Sequence, residues 1–267
     1  MPFTLNGLDG TRVSFEDDGG TGTPVVILGG FLDPIGLVRD APIARALSDR
    51  PQEFRLVFVD HRGHGLSGAP HEPASYAMPL RVADVVAALD ATGIDRAHVV
   101  GISWGGRLGF GMGAIAPERM RSLVAIGQHP YPIRRDGPLA VALGRAMQDT
   151  ERRGIVALVE TFEAAAGRYP DDVRSIYLEA DPDAMRAAWR CVKDEGPIGG
   201  DLPGWTTPCL ICVAEHDEDF FEQARAAAAE IPRARFVVIP GTDHLGVDVA
   251  PVDAVLPEVL GLLREVS

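Results

Sequence analysis

Residues 99–110 read VVGISWGGRLGF. Two valines run into Gly101, Ser103 follows, and the bulky Trp104 stands beside Gly105 and Gly106. Glycine inside a strand or helix costs roughly 0.5–1 kcal/mol relative to alanine. A buried strand alone gains nothing from three of them, so the stretch needs another reading. AHVVGIS, residues 97–103, is a continuous apolar run of strand type, and WGGRLGFGMGAIA, residues 104–116, opens a helix. Gly101-Ile102-Ser103-Trp104-Gly105 thus fits G-x-S-x-G on a strand–turn–helix junction, the context in which that motif presents a nucleophile. A turn this sharp brings strand and helix so close that the positions two residues either side of the serine must be glycine. It holds the serine in a backbone conformation strained by about 1–3 kcal/mol. In return the hydroxyl stands at a helix N-terminus, where the dipole favours developing negative charge.

The rest of the chain repeats the same alternation. PVVILGG (24–30), EFRLVFVDH (53–61), MRSLVAIGQ (120–128), PCLICVAE (208–215) and ARFVVIPG (234–241) are continuous apolar runs. Continuous rather than alternating apolarity means burial on both faces, as in a parallel sheet covered by helices. TRVSFEDDG (11–19) alternates and reads as a half-exposed strand. Between the runs lie helical patterns. In LRVADVVAALDATG, Val82, Val85, Val86 and Leu89 share a face and Gly93 stops the helix. The expectation is an α/β fold with a mostly parallel, doubly wound sheet flanked by helices. The rhythm breaks after Gln128. GPLAVALGRAMQDTERRGIVALVETFEAAAG and DAMRAAWRCVKDEG are helical, and no convincing strand appears before Pro208. Residues 1–128 and 208–267 are therefore expected to form the core, and 129–207 a helical cap.

Composition removes whole classes of function. Apolar residues make up 46% and charged residues 24%, as in an ordinary globular protein. A net charge of −13 repels phosphate backbones and argues against nucleic acid. The N-terminal residues lack the basic and apolar regions of a secretory signal, and no apolar run is long enough to cross a bilayer. Cys209 and Cys212 are spaced like half a zinc site, but three positions apart on a strand they face opposite ways. Neither metal nor disulfide framework is expected, and the expected compartment is a reducing cytoplasm. Lys193 is the only lysine beside many arginines, the usage of G+C-rich bacterial genomes.

These segments together resemble the α/β-hydrolase family, in its capped branch. LGGFLDP (28–34) resembles the oxyanion loop after the third strand, VDHRGHGLS (59–67) the D-x-R-G-x-G-x-S turn after the fourth, and GISWGG the nucleophile elbow. VAEHDED (213–219) and IPGTDHLG (239–246) resemble the segments that carry the acid and the histidine. A serine hydroxyl needs a base to take its proton and a carboxylate to orient that base. In this fold the chain order is serine, acid, histidine. Of seven histidines, His244 alone follows Ser103 and an acidic cluster in a loop after a strand. His61 and His64 fall in the turn that shapes the pocket floor in the family, and His129 is a candidate for the pocket lining. The resemblance selects Asp217 as the acid, with Asp219 in reserve and Asp243 read as a solvated turn residue. It implies an oxyanion hole from the backbone N–H groups of Phe31 and Trp104. Both residues are also candidates to contact substrate. One departure is plain: the family's common His-Gly is here Gly29-Gly30. Backbone donors survive that change, but the loop loses a source of rigidity.

The resemblance implies a cofactor-independent, metal-free serine hydrolase acting on an ester, thioester or lactone of a small to medium molecule. The same triad serves cofactor-free perhydrolases, C–C bond hydrolases and hydroxynitrile lyases, and some relatives only bind a small ligand. Dehalogenases and epoxide hydrolases carry aspartate where Ser103 stands. Trp104's side chain packs under the cap or within the core.

Overall fold

The computed structural model describes residues 2–247 and 252–266. Its centre is an eight-stranded sheet of β1 (Phe3–Asn6), β2 (Arg12–Asp17), β3 (Thr23–Leu28), β4 (Phe54–Val59), β5 (Ala97–Ile102), β6 (Met120–Ile126), β7 (Cys209–Ala214) and β8 (Ala234–Ile239). The order across the sheet is β1-β2-β4-β3-β5-β6-β7-β8. From β4 to β8 the neighbours run parallel, and β1 and β2 pair antiparallel at one edge. Every continuous apolar run became a parallel strand. β1 is an addition to the sequence reading. It is four residues long and mostly exposed, with Phe3 stacked on Phe15 at 5.5 Å, too short to show a burial period.

Among the described residues ten helices follow in chain order: α1 (Ile35–Val38), α2 (Pro42–Ser48), α3 (Met78–Ala91), α4 (Trp104–Ile115), α5 (Pro138–Arg153), α6 (Val156–Ala166), α7 (Asp171–Tyr177), α8 (Pro182–Lys193), α9 (Phe221–Glu230) and α10 (Leu256–Glu265). The end of α3 shows how the sequence stops a helix. Gly93 takes φ +68, its N–H bonds Asp90 O, and the Ile94 N–H reaches Leu89 O at 2.9 Å. That pairing closes the free carbonyls of the last turn, and Ile94 packs beside Leu89 in the core.

The sheet has two apolar layers. One face carries Val26, Leu28, Val99, Leu123 and Cys209 under α3, α4 and α9; the other carries Val25, Ile27, Val100, Val124 and Cys212. The two cysteines thus lie on opposite faces, as period 2 requires. A third cluster forms above the C-terminal ends of the strands. Leu143, Met147, Leu158, Phe162 and Met185 from α5, α6 and α8 gather there with Leu32 and Trp104. Between β6 and β7 the described chain is helical and holds no strand. After α8 it returns to the sheet, where Ile198, Leu202 and Trp205 pack in the first layer. No helix among the described residues is long and apolar enough to cross a membrane.

Candidate active site

The elbow forms where β5 meets α4. Ser103 has φ +46 and ψ −108, a strained conformation for a residue with a side chain. The flanking glycines have a steric reason. A Cβ on Gly101 would lie 2.3 Å from the Gly105 carbonyl oxygen, and one on Gly105 would lie 2.2 Å from that of Leu28. The turn is held by Ser103 N–H to Ile126 O at 2.7 Å and Gly105 N–H to Gly29 O at 2.9 Å. It is thereby tied to the neighbouring strand and to the loop after β3.

Three separate loops converge on the serine. His244 Nε2 lies 2.9 Å from Ser103 Oγ, and His244 Nδ1 lies 2.8 Å from Asp217 Oδ2. A carboxylate can only accept, so Nδ1 carries the proton and Nε2 is free to accept the serine's. Asp217 is buried, and its other oxygen accepts the Phe220 N–H at 3.1 Å. The Phe220 ring stacks on His244 at 4.4 Å and fixes the imidazole plane. Asp219 is employed elsewhere. Its carboxylate accepts the Leu139 N–H at 2.9 Å and the Ala140 N–H at 3.5 Å, holding the first turn of α5. Asp243 is exposed, as expected of a turn residue, and accepts the Gly246 N–H at 3.0 Å within the turn that carries His244.

The loop after β3 answers the question raised by Gly29-Gly30. Leu32 has φ +85, and its N–H donates to His64 Nε2 at 3.0 Å. His64 Nδ1 meets the Arg62 carbonyl at 2.9 Å, so it must be the protonated nitrogen and Nε2 the acceptor. His61 Nε2 donates to Gly29 O at 3.0 Å. Burial pulls His64 down to about 4 and His61 to about 3, so both are neutral and able to hold these bonds. Asp60 adds a third tie, accepting the Ile35 N–H at 2.7 Å. The D-x-R-G-x-G-x-S turn is therefore the back brace of the loop after β3, tied to it at Gly29, Leu32 and Ile35 by His61, His64 and Asp60. Among the described residues, the N–H groups of Phe31 and Trp104 are engaged by no other group. Both belong to the two loops that meet at Ser103.

Asp33 was not singled out from sequence. Its carboxyl accepts the Gly30 N–H at 3.1 Å and the Tyr177 O–H at 2.8 Å, linking this loop to α7. Burial raises its pKa above the usual carboxylate range. No motif marks it, and its partner lies 144 residues away.

Trp104 has its side chain under the helices of the insertion. The indole is 5% exposed, lies 4.9 Å from the Phe31 ring and carries the Arg81 guanidinium 5.1 Å from its ring centre. His129 stands one layer behind the site. It is fully buried, with its ring 5.3 Å from that of Phe220, and it does not reach the space in front of Ser103. That space is a cavity of about 50 Å³ bounded by Phe31, Asp33, Leu143, Phe162, Tyr177 and His244. On the other side of Leu139, His244 and Leu245 lies a larger groove of about 340 Å³ between α5, α6 and the loops after β7 and β8. Glu218 and Asp243 stand on its rim. Among the described residues, one group with convergent metal-ligand atoms, His71, Asp181 and Asp183, lies on the surface. Its members are already engaged: Asp181 bonds His71 at 2.9 Å and caps α8, and Asp183 pairs with Arg186.

Comparison with known proteins gives a consistent picture. Residues 23–151 match a family described as the alpha/beta hydrolase fold. The chain is 29% identical to the esterase YbfF of Escherichia coli K12, over 91% of this chain and 94% of that protein. It is 31% identical to a protein of Caulobacter sp. K31 named putative carbamate hydrolase RutD, over 84% of each. Among solved structures, the enol-lactonase from Burkholderia xenovorans LB400 superimposes with a TM-score of 0.81 at 23% identity, covering 98% of this chain and 100% of that one.

Proposed function

Because the chain belongs to the α/β-hydrolase family, we propose that it is a serine esterase that hydrolyses carboxylic esters of a short, uncharged acyl group through an acyl-enzyme. The observation that carries this reading is the relay Ser103 Oγ–His244 Nε2 at 2.9 Å and His244 Nδ1–Asp217 at 2.8 Å. Two unengaged backbone N–H groups stand beside it. In the proposed reaction Ser103 Oγ attacks the ester carbonyl while His244 Nε2 takes its proton. The N–H groups of Phe31 and Trp104 donate to the oxyanion. His244 then protonates the departing alkoxide, leaving acyl-Ser103. Water attacks the acyl-enzyme along the same proton route and frees the acid. Asp217 stays ionised, keeps the Nδ1 proton in place and stabilises the imidazolium.

Cavity sizes support the substrate class. The 50 Å³ cavity holds a few heavy atoms, since a water occupies roughly 10–15 Å³ by the same measure. It suits an acetyl or propionyl group. No Arg or Lys lines it to pair with a carboxylate on that acyl group, and half-buried Asp33 at its wall already holds the Gly30 N–H and the Tyr177 O–H. The 340 Å³ groove on the far side of His244 suits a larger alcohol, and the acids on its rim disfavour an anionic one. Helices α5 to α8 act in this reading as the cap that closes the acyl cavity. A homologous series of p-nitrophenyl esters tests it. We expect kcat/KM to peak at two or three acyl carbons and to fall steadily beyond. A peak at long chains, or no turnover of any member, would overturn the proposal.

A further inference from the structure

The outer side of α5 and α8 carries a concave surface unrelated to the serine. It encloses about 450 Å³, and six cations line it: Arg134, Arg135, Arg145, Arg186, Arg190 and Lys193. Glu151 is the one acid in its wall. Elsewhere the balance is reversed, since acids outnumber bases 38 to 25 over the whole chain. The single lysine of the protein stands here too. An apolar floor of Ile133 and Met147 and the side of Trp189 complete the concavity.

The cations are available to a ligand. Arg135 pairs with Asp194 at 2.9 Å, Arg190 with Glu151 at 3.6 Å, and Arg134 and Arg186 pair with Asp136 and Asp183. The pairs of Arg134, Arg135 and Arg190 are exposed on both sides and contribute about 0–1 kcal/mol each, so an incoming anion can exchange for them, whereas Arg186 is mostly buried and also held by Thr150. Among the described residues, Arg145 and Lys193 make no ion pair at all. Six cations against the four acids that pair with them leave the cleft net positive, and a concave surface of that sign concentrates anions. Arginine forks match phosphate and carboxylate oxygens in pairs. The volume lies in the usual range for small-molecule sites, about 300–1,000 Å³, whereas an acidic protein surface would need a flatter face.

We propose that this groove binds a small organic polyanion of the phosphate or polycarboxylate class, at a site separate from Ser103. The wall between the two sites is α5. Leu139 and Leu143 face the acyl cavity, while Ala140, Gly144 and Arg145 face the groove. Binding is read directly and does not depend on the esterase reading.

Calorimetric titration with pyrophosphate, ADP and citrate at neutral pH and low salt tests the proposal. We expect at least one of the three to saturate a single site per chain with a Kd below about 1 mM. Arg145→Glu with Lys193→Glu weakens that binding at least tenfold, as does high salt, while the ligand-free melting temperature stays near wild type. Pyrophosphate or ADP ahead of citrate assigns the phosphate class, and the reverse order assigns polycarboxylates. If the double reversal does not fold, Arg145→Ala with Lys193→Ala takes its place and weakens binding in the same direction. Saturation by none of the three, or binding unchanged in a folded variant, would overturn the proposal.

Discussion

Replacing His64 by leucine is the perturbation that reports most on how this site is built. His64 Nε2 is the acceptor for the Leu32 N–H at 3.0 Å, in a residue held at φ +85 and 3% exposed. Leucine leaves that N–H buried without a partner, which costs about 1–3 kcal/mol. The positive φ at Leu32 stores a further 1–3 kcal/mol or so that the bond no longer enforces. The loop therefore relaxes, and the Phe31 N–H one residue earlier moves off its aim. Complete loss of one oxyanion donor lowers kcat by about 10²–10³, which sets the ceiling. We expect His64→Leu to lower kcat between about tenfold and that limit, with KM changed by no more than a few-fold, because the loss falls on the transition state. The protein should also melt several degrees lower. His64→Gln places an amide oxygen near the former Nε2 and should recover most of kcat. Steady-state hydrolysis of p-nitrophenyl acetate beside thermal melting reads both effects. A kcat for His64→Leu within twofold of wild type, in a variant that does melt earlier, would refute the idea that this histidine aims the loop.

Three other outcomes follow from the same geometry. Asp217→Asn should lower kcat by about 10⁴, as the imidazole tautomer inverts, whereas Asp219→Asn loosens the start of α5 and should leave kcat within about tenfold; steady-state rates decide, and the reverse ranking would move the acid to Asp219. Leu143→Ala, in the wall of the acyl cavity, should shift the preferred acyl group towards butyryl or longer, by about 1–3 kcal/mol in relative kcat/KM per added methylene; an unchanged chain-length profile would place specificity in the loops around Phe31 and Trp104. The buried His64, pulled down to about 4, binds fewer protons folded than unfolded, so its share of stability is complete above pH 6.5 and is lost as the pH falls towards 4. Denaturant unfolding should therefore show His64→Gln gaining on wild type by on the order of 1–3 kcal/mol across that window, and parallel pH curves would contradict the assignment of His64 as a buried neutral group.

Much of this site is legible in the sequence because its parts are local. G-x-S-x-G forces glycine at 101 and 105 by contacts within a few residues and one crossing strand, so the motif carries its own geometry. The inner parallel strands show themselves because burial on both faces leaves no polar residue in runs such as VVIL and CLICVA, while β8 at the edge is only partly buried. β1 escapes this logic because it is four residues at an exposed edge. The work of His61 and His64 is not legible, since their partners Gly29 and Leu32 lie 32 residues earlier and are backbone atoms. Asp33 is hidden for the same reason, its partner being on α7. The choice between Asp217 and Asp219 rests on which side of a tight turn each carboxylate leaves. Two residues apart in sequence, they part ways in space, one to His244 and one to the first turn of α5. The basic groove is invisible because its six cations come from α5, α8 and the loop before α5, and composition reports only the acidic whole.

The central claim is that Ser103 is the nucleophile, primed by His244. Reaction of the native protein with a fluorophosphonate, followed by proteolysis and mass spectrometry, tests it without any assumption about substrate. The account predicts one adduct per chain, on the peptide containing Ser103, and none in Ser103→Ala or His244→Ala under the same exposure. An adduct on another residue of wild type, or labelling of Ser103 undiminished in His244→Ala, would contradict it.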